Sequence, residues 1–231
     1  MVGGNRRCSA FLRNSSGKRS RRLRFVLEWN AMKETMLDIA KRVDAFFMEK
    51  SPIHETMRRL AEALKDMKIS FAIAGAMAAN AHGHKRTTAD VDVLMRREDL
   101  NRFKERWLGL GWVDKFEGSK GFKDARNNIN VDVLIVGDFP GDGLPKPVAF
   151  PEPESVLEFR DDSMPYISLA TLIEMKLASA MTAPHRPRDL DDVIQLIRAN
   201  KLSRAYIDTI NPYVHDKFLE MWQAAQVEED Y

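Results

Sequence analysis

Residues 75–95 read GAMAANAHGHKRTTADVDVLM. The segment ADVDVLM (89–95) alternates strictly between polar and apolar residues, which predicts a strand. Side chains alternate across a strand, so Asp90 and Asp92 share one face while Val91 and Val93 share the other. Two carboxylates held side by side and partly desolvated repel, and a cation removes that penalty. Hard oxygen ligands of this kind suit Mg²⁺ or Mn²⁺, which keep waters and substrate phosphates in their shell. The plainer reading is a strand with one wet face. Upstream, AMAANAHG (76–83) predicts a short helix closed by Gly83, and ISFAIAG (69–75) predicts a short strand ending in glycine.

Outward from this stretch the periodicity changes several times. Apolar residues from Met36 to Phe47 recur at helical spacing, within a predicted helix over about 31–51. Ser51-Pro52 suits an N-cap followed by the first helical position, so a second helix is expected to about Lys68. REDLNRFKERWLGLG (97–111) is amphipathic. WVDKF and GFKDA flank an EGSK turn, and Asn127-Asn128 is a tight-turn pair. NINVDVLIV (128–136) is a second alternating strand. It places Asp132 and Asn130 on one face and Val131 and Val133 on the other. GDFPGDGLPKP (137–147) reads as a loop, with short strands expected near VAF, SVLEF and MPYIS. From Ser168 the pattern is helical: SLATLIEMKLASAM, PRDLDDVIQLIRAN behind Pro187, then two more amphipathic helices to about Gln226. The expected class is α/β (α+β): a small mixed sheet flanked by helices over 52–167, and a helical C-terminal region over 168–231.

Composition adds bounds. The 231 residues are 44% hydrophobic and 30% charged, enough apolar content for a real core, with a net charge of only +2. Residues 1–24 carry Arg6, Arg7, Arg13, Lys18, Arg19, Arg21, Arg22 and Arg24 and no acid, so the remainder is acidic. The simplest reading of residues 1–30 is a basic tail outside the fold. Its composition also fits a transit peptide, or a start assigned upstream of Met32 or Met36. The single Cys8 suits a reducing cytoplasm. No apolar run approaches the roughly 18 residues of a membrane span. No long basic stripe marks the folded part, so charge does not single out tRNA as a partner.

If the strand 128–136 pairs beside 89–95, Asp132 joins Asp90 and Asp92. Three acids from two adjacent strands are a usual way to hold two divalent ions for phosphoryl or nucleotidyl transfer. The order of strand, Gly75-Ala76, short helix, Asp90-Val91-Asp92-Val93, and a third aspartate on a later strand resembles the DNA polymerase β-like nucleotidyltransferase superfamily. That pattern has an apolar residue, Gly, and Gly or Ser, then nine to thirteen residues, then Asp, apolar, acid, apolar. Thirteen residues (77–89) intervene here, and Ala76 stands where the family has Gly or Ser. Gly83 to Asp92 also fits the Gly-x-x-Arg-x-Thr-x-Asp-apolar-Asp run of minimal bacterial members. Lys176, Arg186, Arg188-Asp189 and Asp192 look like the Lys…Arg-Asp-x-x-Asp motif of AbiEii-like nucleotidyltransferases, the toxin halves of some abortive-infection pairs. The likeness spans about residues 52–200.

The resemblance implies roles. Gly75 and the backbone of Ala76 would approach a triphosphate closely. Asp90 and Asp92 would hold Mg²⁺ or Mn²⁺, and Asp132 would take the catalytic ion and orient or deprotonate the attacking hydroxyl. Lys176, Arg186 and Arg188 would neutralise phosphate charge, with Arg86, Thr88, Asp189 and Asp192 completing the nucleotide site. The implied partners are a nucleoside triphosphate, an acceptor that is tRNA, protein or a small molecule, and a cognate antitoxin. Each residue also has a structural reading. Asp189 and Asp192 suit a helix N-terminus, Lys176 a snorkelling lysine, and Arg86 and Thr88 a loop that positions the strand. His82 and His84 alone make an incomplete metal set. Two other function classes remain open: a nucleotide- or partner-binding module without turnover, and an acidic structural domain.

Overall fold

Val91 and Val93 are fully buried while Asp90 and Asp92 are only partly so, and this contrast orients the central strand. In the computed structural model, described at residues 36, 38–159 and 163–227, that strand is β2 (Asp90–Met95). It pairs in parallel with β5 (Ile129–Ile135), residue 90 opposite 130 through 95 opposite 135. On its other side it runs antiparallel to β1 (Ala72–Ile73), which pairs in parallel with β7 (Pro165–Ile167). β3 (Trp112–Asp114), β4 (Phe122–Asp124) and β6 (Leu157–Phe159) complete a seven-stranded mixed sheet of order β3-β4-β5-β2-β1-β7-β6.

The chain divides into two compact units between Ala45 and Phe46. Helix α1 covers 38–47; the expected tail over 1–30 and the start of the helix expected over 31–51 lie outside the described residues. In the second unit, α2 (Pro52–Asp66) packs against β2 and β5. Its Leu60 and Leu64 are fully buried; burial of each such side chain stabilises by about 1.5–3 kcal/mol. Pro52 starts α2 as expected, but Ser51 does not cap it: the hydroxyl bonds the His54 ring instead, at 2.8 Å. The short helix α3 (Gly75–Ala81) follows β1, and α4 (Arg97–Trp107) follows β2. Phe103 of α4 stacks on Phe122, with ring centroids 4.7 Å apart, and Trp112 meets both rings edge-on.

The C-terminal region is helical: α5 (Leu169–Thr182), α6 (Pro187–Ala199) and α7 (His215–Ala225). Ser168 caps α5 by accepting from Thr171 N–H. A single hydrophobic core runs from Phe46 to Ala225, so these helices share it with the sheet. Two local expectations give way. The stretch VAF (148–150) is not a strand; Phe150 instead exchanges backbone bonds with Gly137 and Asp138, closing the 137–150 loop. The first of the two expected terminal helices is a pair of 3₁₀ turns, Arg204–Thr209 and Pro212–Val214. Pro212 interrupts the helical ladder there because it has no N–H to donate.

Candidate functional site

Register and alternation set Asp92 beside Asp132 across the parallel pair, with Asp90 opposite Asn130. All four belong to the face opposite the buried valines. Asp90 and Asp92 border a cleft of about 950 Å³. Of the residues singled out from sequence, Gly75, Ala76, Arg86, Thr88, Asp90, Asp92, Lys176, Arg186, Arg188 and Asp189 line it. Asp132 and Asp192 do not.

Gly75 shows why this end of the cleft is glycine. Its φ is +57°, and a Cβ there would lie 1.8 Å from Asp92 Oδ2. The room that glycine leaves is taken by the Asp92 carboxylate rather than standing open. Ala74 N–H donates to Asp92 C=O at 2.9 Å, tying the start of α3 to β2. The first-turn N–H groups of α3 have no acceptor within the helix, and Ala76, itself buried, adds no hydroxyl there.

Asp92 is the most perturbed carboxylate of the cleft. Burial, then the charges of Asp90 and Asp132, push its pKa up to about 7. Among the described residues its carboxylate has no hydrogen-bond or ion-pair partner. Asp90 accepts from Thr88 Oγ1 at 2.6 Å, which fixes one oxygen of that pair. Asp132 accepts from Lys115 Nζ. The three carboxylates therefore do not converge as tightly as the strand pattern suggests. The group of three whose ligand atoms all lie within 4.8 Å of one another is His84, Asp191 and Asp192. The Lys115 ammonium engages Asp132, the one of the three acids that β5 contributes.

Asp192 is a buried hub. It is 1% exposed and accepts from Lys176 Nζ at 2.5 Å and Arg86 Nη2 at 3.0 Å. Arg86 Nε lies 2.7 Å and His84 Nε2 3.1 Å from its other oxygen. Burial pushes its pKa up, but the charge and hydrogen bond of Lys176, and then Arg86, outweigh that and hold it below the usual range. With two fixed cations already on Asp192, the His84 group is a poor place for a metal ion. Lys176 also donates to Asp189 Oδ1 at 3.2 Å, so α5 and α6 are joined through one buried ammonium. Asn80 of α3 adds a further tie, exchanging bonds of 2.8 Å with the backbone N–H and C=O of Arg86. Arg186 and Arg188 are exposed at the cleft and have no carboxylate partner among the described residues. His82 and His84 separate: His82 Nε2 lies 2.8 Å from Ile167 C=O, and His84 turns to Asp192.

Sequence reading missed Lys115, Asn80 and the wall formed by Phe139, Phe150 and Met175. The signal for Lys115 was its place at the end of a strand whose hairpin mate borders the Asp132 strand.

The residues fit a divalent cation at Asp90 and Asp92, on the chemistry of the donor set. Asp92 is a partnerless carboxylate under like-charge pressure, and no fixed cation contacts it or Asp90. Arg186 and Arg188, without a carboxylate partner among the described residues, line the same cleft.

No protein-family model matches the chain, and no curated protein matches it in sequence. Solved structures of ANT(2″)-Ia are similar to it. The crystal structure of ANT(2″)-Ia in complex with adenylyl-2″-tobramycin has a TM-score of 0.48 at 11% identity, covering 74% of this chain and 95% of that chain. The solution structure of the antibiotic-resistance factor ANT(2″)-Ia has a TM-score of 0.47 at 13% identity, covering 73% of this chain and 92% of that chain.

Proposed function

We propose that the protein is a divalent-cation-dependent nucleotidyltransferase, moving a nucleoside monophosphate from a nucleoside triphosphate to a hydroxyl acceptor. The observation that carries this is Asp92: packed on Gly75, flanked by Asp90 and Asp132, partnerless, and raised to about 7. A Mg²⁺ or Mn²⁺ ion, when bound by Asp90 and Asp92, would neutralise phosphate charge and polarise the phosphoryl group. Arg186 and Arg188 would bind the triphosphate oxygens. Lys176 and Asp189, locked together, would hold α6 so that those arginines face the cleft. The acceptor oxygen forms a bond to the α-phosphorus, the bond to the bridging oxygen breaks, and pyrophosphate leaves. Asp132 would orient the hydroxyl and take its proton.

The acceptor is RNA, protein or a small molecule, and a toxin-type role with a cognate antitoxin is the finer form of the proposal. A second reading, a nucleotide-binding module without turnover, is favoured by Lys115 on Asp132 and by the missing hydroxyl at Ala76. One experiment separates them. The protein is incubated with Mn²⁺ or Mg²⁺, each α-labelled nucleoside triphosphate and cell extract. Label on an acceptor, absent with Asp90→Asn, supports the enzyme. Thermal stabilisation by nucleotide without label supports the module. Neither effect overturns both.

A further inference from the structure

We propose that Lys115 occupies the place of a cation at Asp132, so that the free protein takes one divalent ion, at Asp90 and Asp92, rather than two. The inference rests on the nucleotidyltransferase reading above and concerns how its three acids are divided.

Lys115 follows β3 directly, and its Nζ contacts Asp132 Oδ1. The contact is built rather than incidental, on three observations. The turn that carries Lys115 is fastened down: Lys104 of α4 donates to both Asp114 Oδ1 and Ser119 C=O, each at 2.5 Å. Ser119 Oγ accepts from Gly121 N–H at 3.1 Å, which closes the same turn. Gly121 lies one residue beyond the β4–β5 register, opposite Asp132. A Cβ there would come within 2.6 Å of Val131 C=O, 3.0 Å of Asp132 Oδ1 and 3.3 Å of Lys115 Cε. Glycine at 121 thus leaves the space through which the lysine reaches the carboxylate.

The charge division follows. Asp90 and Asp92 share one face of β2 with no fixed cation in contact, whereas Asp132 already has one. An ammonium on Asp132 both neutralises the oxygen a second ion would need and repels that ion. Lys115 is therefore a positioning residue, acting on Asp132 and through it on the attacking hydroxyl.

The test counts ions on the intact protein without nucleotide, by calorimetric Mn²⁺ titration and by electron paramagnetic resonance of the unbound ion. Wild type is expected to take one Mn²⁺, Lys115→Met two, and Lys115→Arg one. Lys115 has a side-chain exposure of 21%, and circular dichroism of each variant checks the fold. Two ions in wild type, or one in a folded Lys115→Met, overturns the proposal. Should Lys115→Met fail to fold, Lys115→Gln is put to the same count, with the same two results. No Mn²⁺ bound to any of the proteins, or binding that survives Asp90→Asn, overturns the underlying site reading instead and this division of charge with it.

Discussion

At Gly75 the backbone and the carboxylate chemistry meet in one residue. Gly75→Ala must hold a Cβ at positive φ and push it into Asp92. The expected cost is about 2–3 kcal/mol in urea unfolding, from the left-handed backbone and the overlap together. Mn²⁺ affinity should fall as well. An unchanged midpoint would contradict the packing. Asp92 gives a pH prediction with a definite sign. Its folded pKa is raised to about 7 by burial and by Asp90 and Asp132. The folded state therefore holds a proton that the unfolded state has lost, and stability of the metal-free protein falls as pH rises from about 4 to 7. Mn²⁺ affinity runs the other way. It rises by about one log unit per pH unit below 7, because the proton must leave first, and levels off above. Titrations across that range check this, and Asp92→Asn should flatten the stability trend. The face shared by Asp90 and Asp92 was legible because alternation is local. The close fit of Gly75 was not, because the sequence places glycine near a ligand while the fold places Asp92 there.

At the scale of elements, two buried acids bind the structure together. Asp192 joins α6 to Lys176 of α5 and to Arg86 of the loop before β2. Asp192→Asn leaves the buried Lys176 and the partly exposed Arg86 short of their anion, and a loss of about 3 kcal/mol is expected in chemical denaturation. A change within 1 kcal/mol (about the noise of such measurements) would contradict the hub. Because its folded pKa is depressed, its stabilisation holds above the unfolded value and is lost as pH falls through the folded one. Asp124 does the same for α2 and β4. It is fully buried and accepts from Thr56 Oγ1 at 2.7 Å and Arg59 Nη1 at 2.6 Å. Burial pushes Asp124 up, but the hydrogen bonds from Thr56 and Arg59 outweigh it. Asp124→Ala should destabilise the protein while leaving Mn²⁺ binding intact in the folded fraction. The long helices were readable from the 3.6-residue period and from Pro52, Ser168 and Pro187. The 3₁₀ turns near 204–214 were not, since a short apolar pattern does not separate α from 3₁₀ without the position of Pro212 in the packing.

For the whole molecule, a mixed sheet with a helical C-terminal region follows from the sequence, and the strand order does not. β1 is two residues long, and β2 pairs with β5 across the α4–β3–β4 excursion, so no local pattern reports that Asp132 will lie beside Asp92. Among the described residues no helix is long and apolar enough to cross a membrane. The account of the cleft stands on a divalent ion at Asp90 and Asp92. The most direct measurement is anomalous scattering from crystals soaked with Mn²⁺ and a non-hydrolysable nucleoside triphosphate. A manganese peak at the Asp90 and Asp92 carboxylates is expected, with the triphosphate reaching Arg186 or Arg188. A peak at His84, Asp191 and Asp192, or no peak at Asp90 and Asp92, would contradict it.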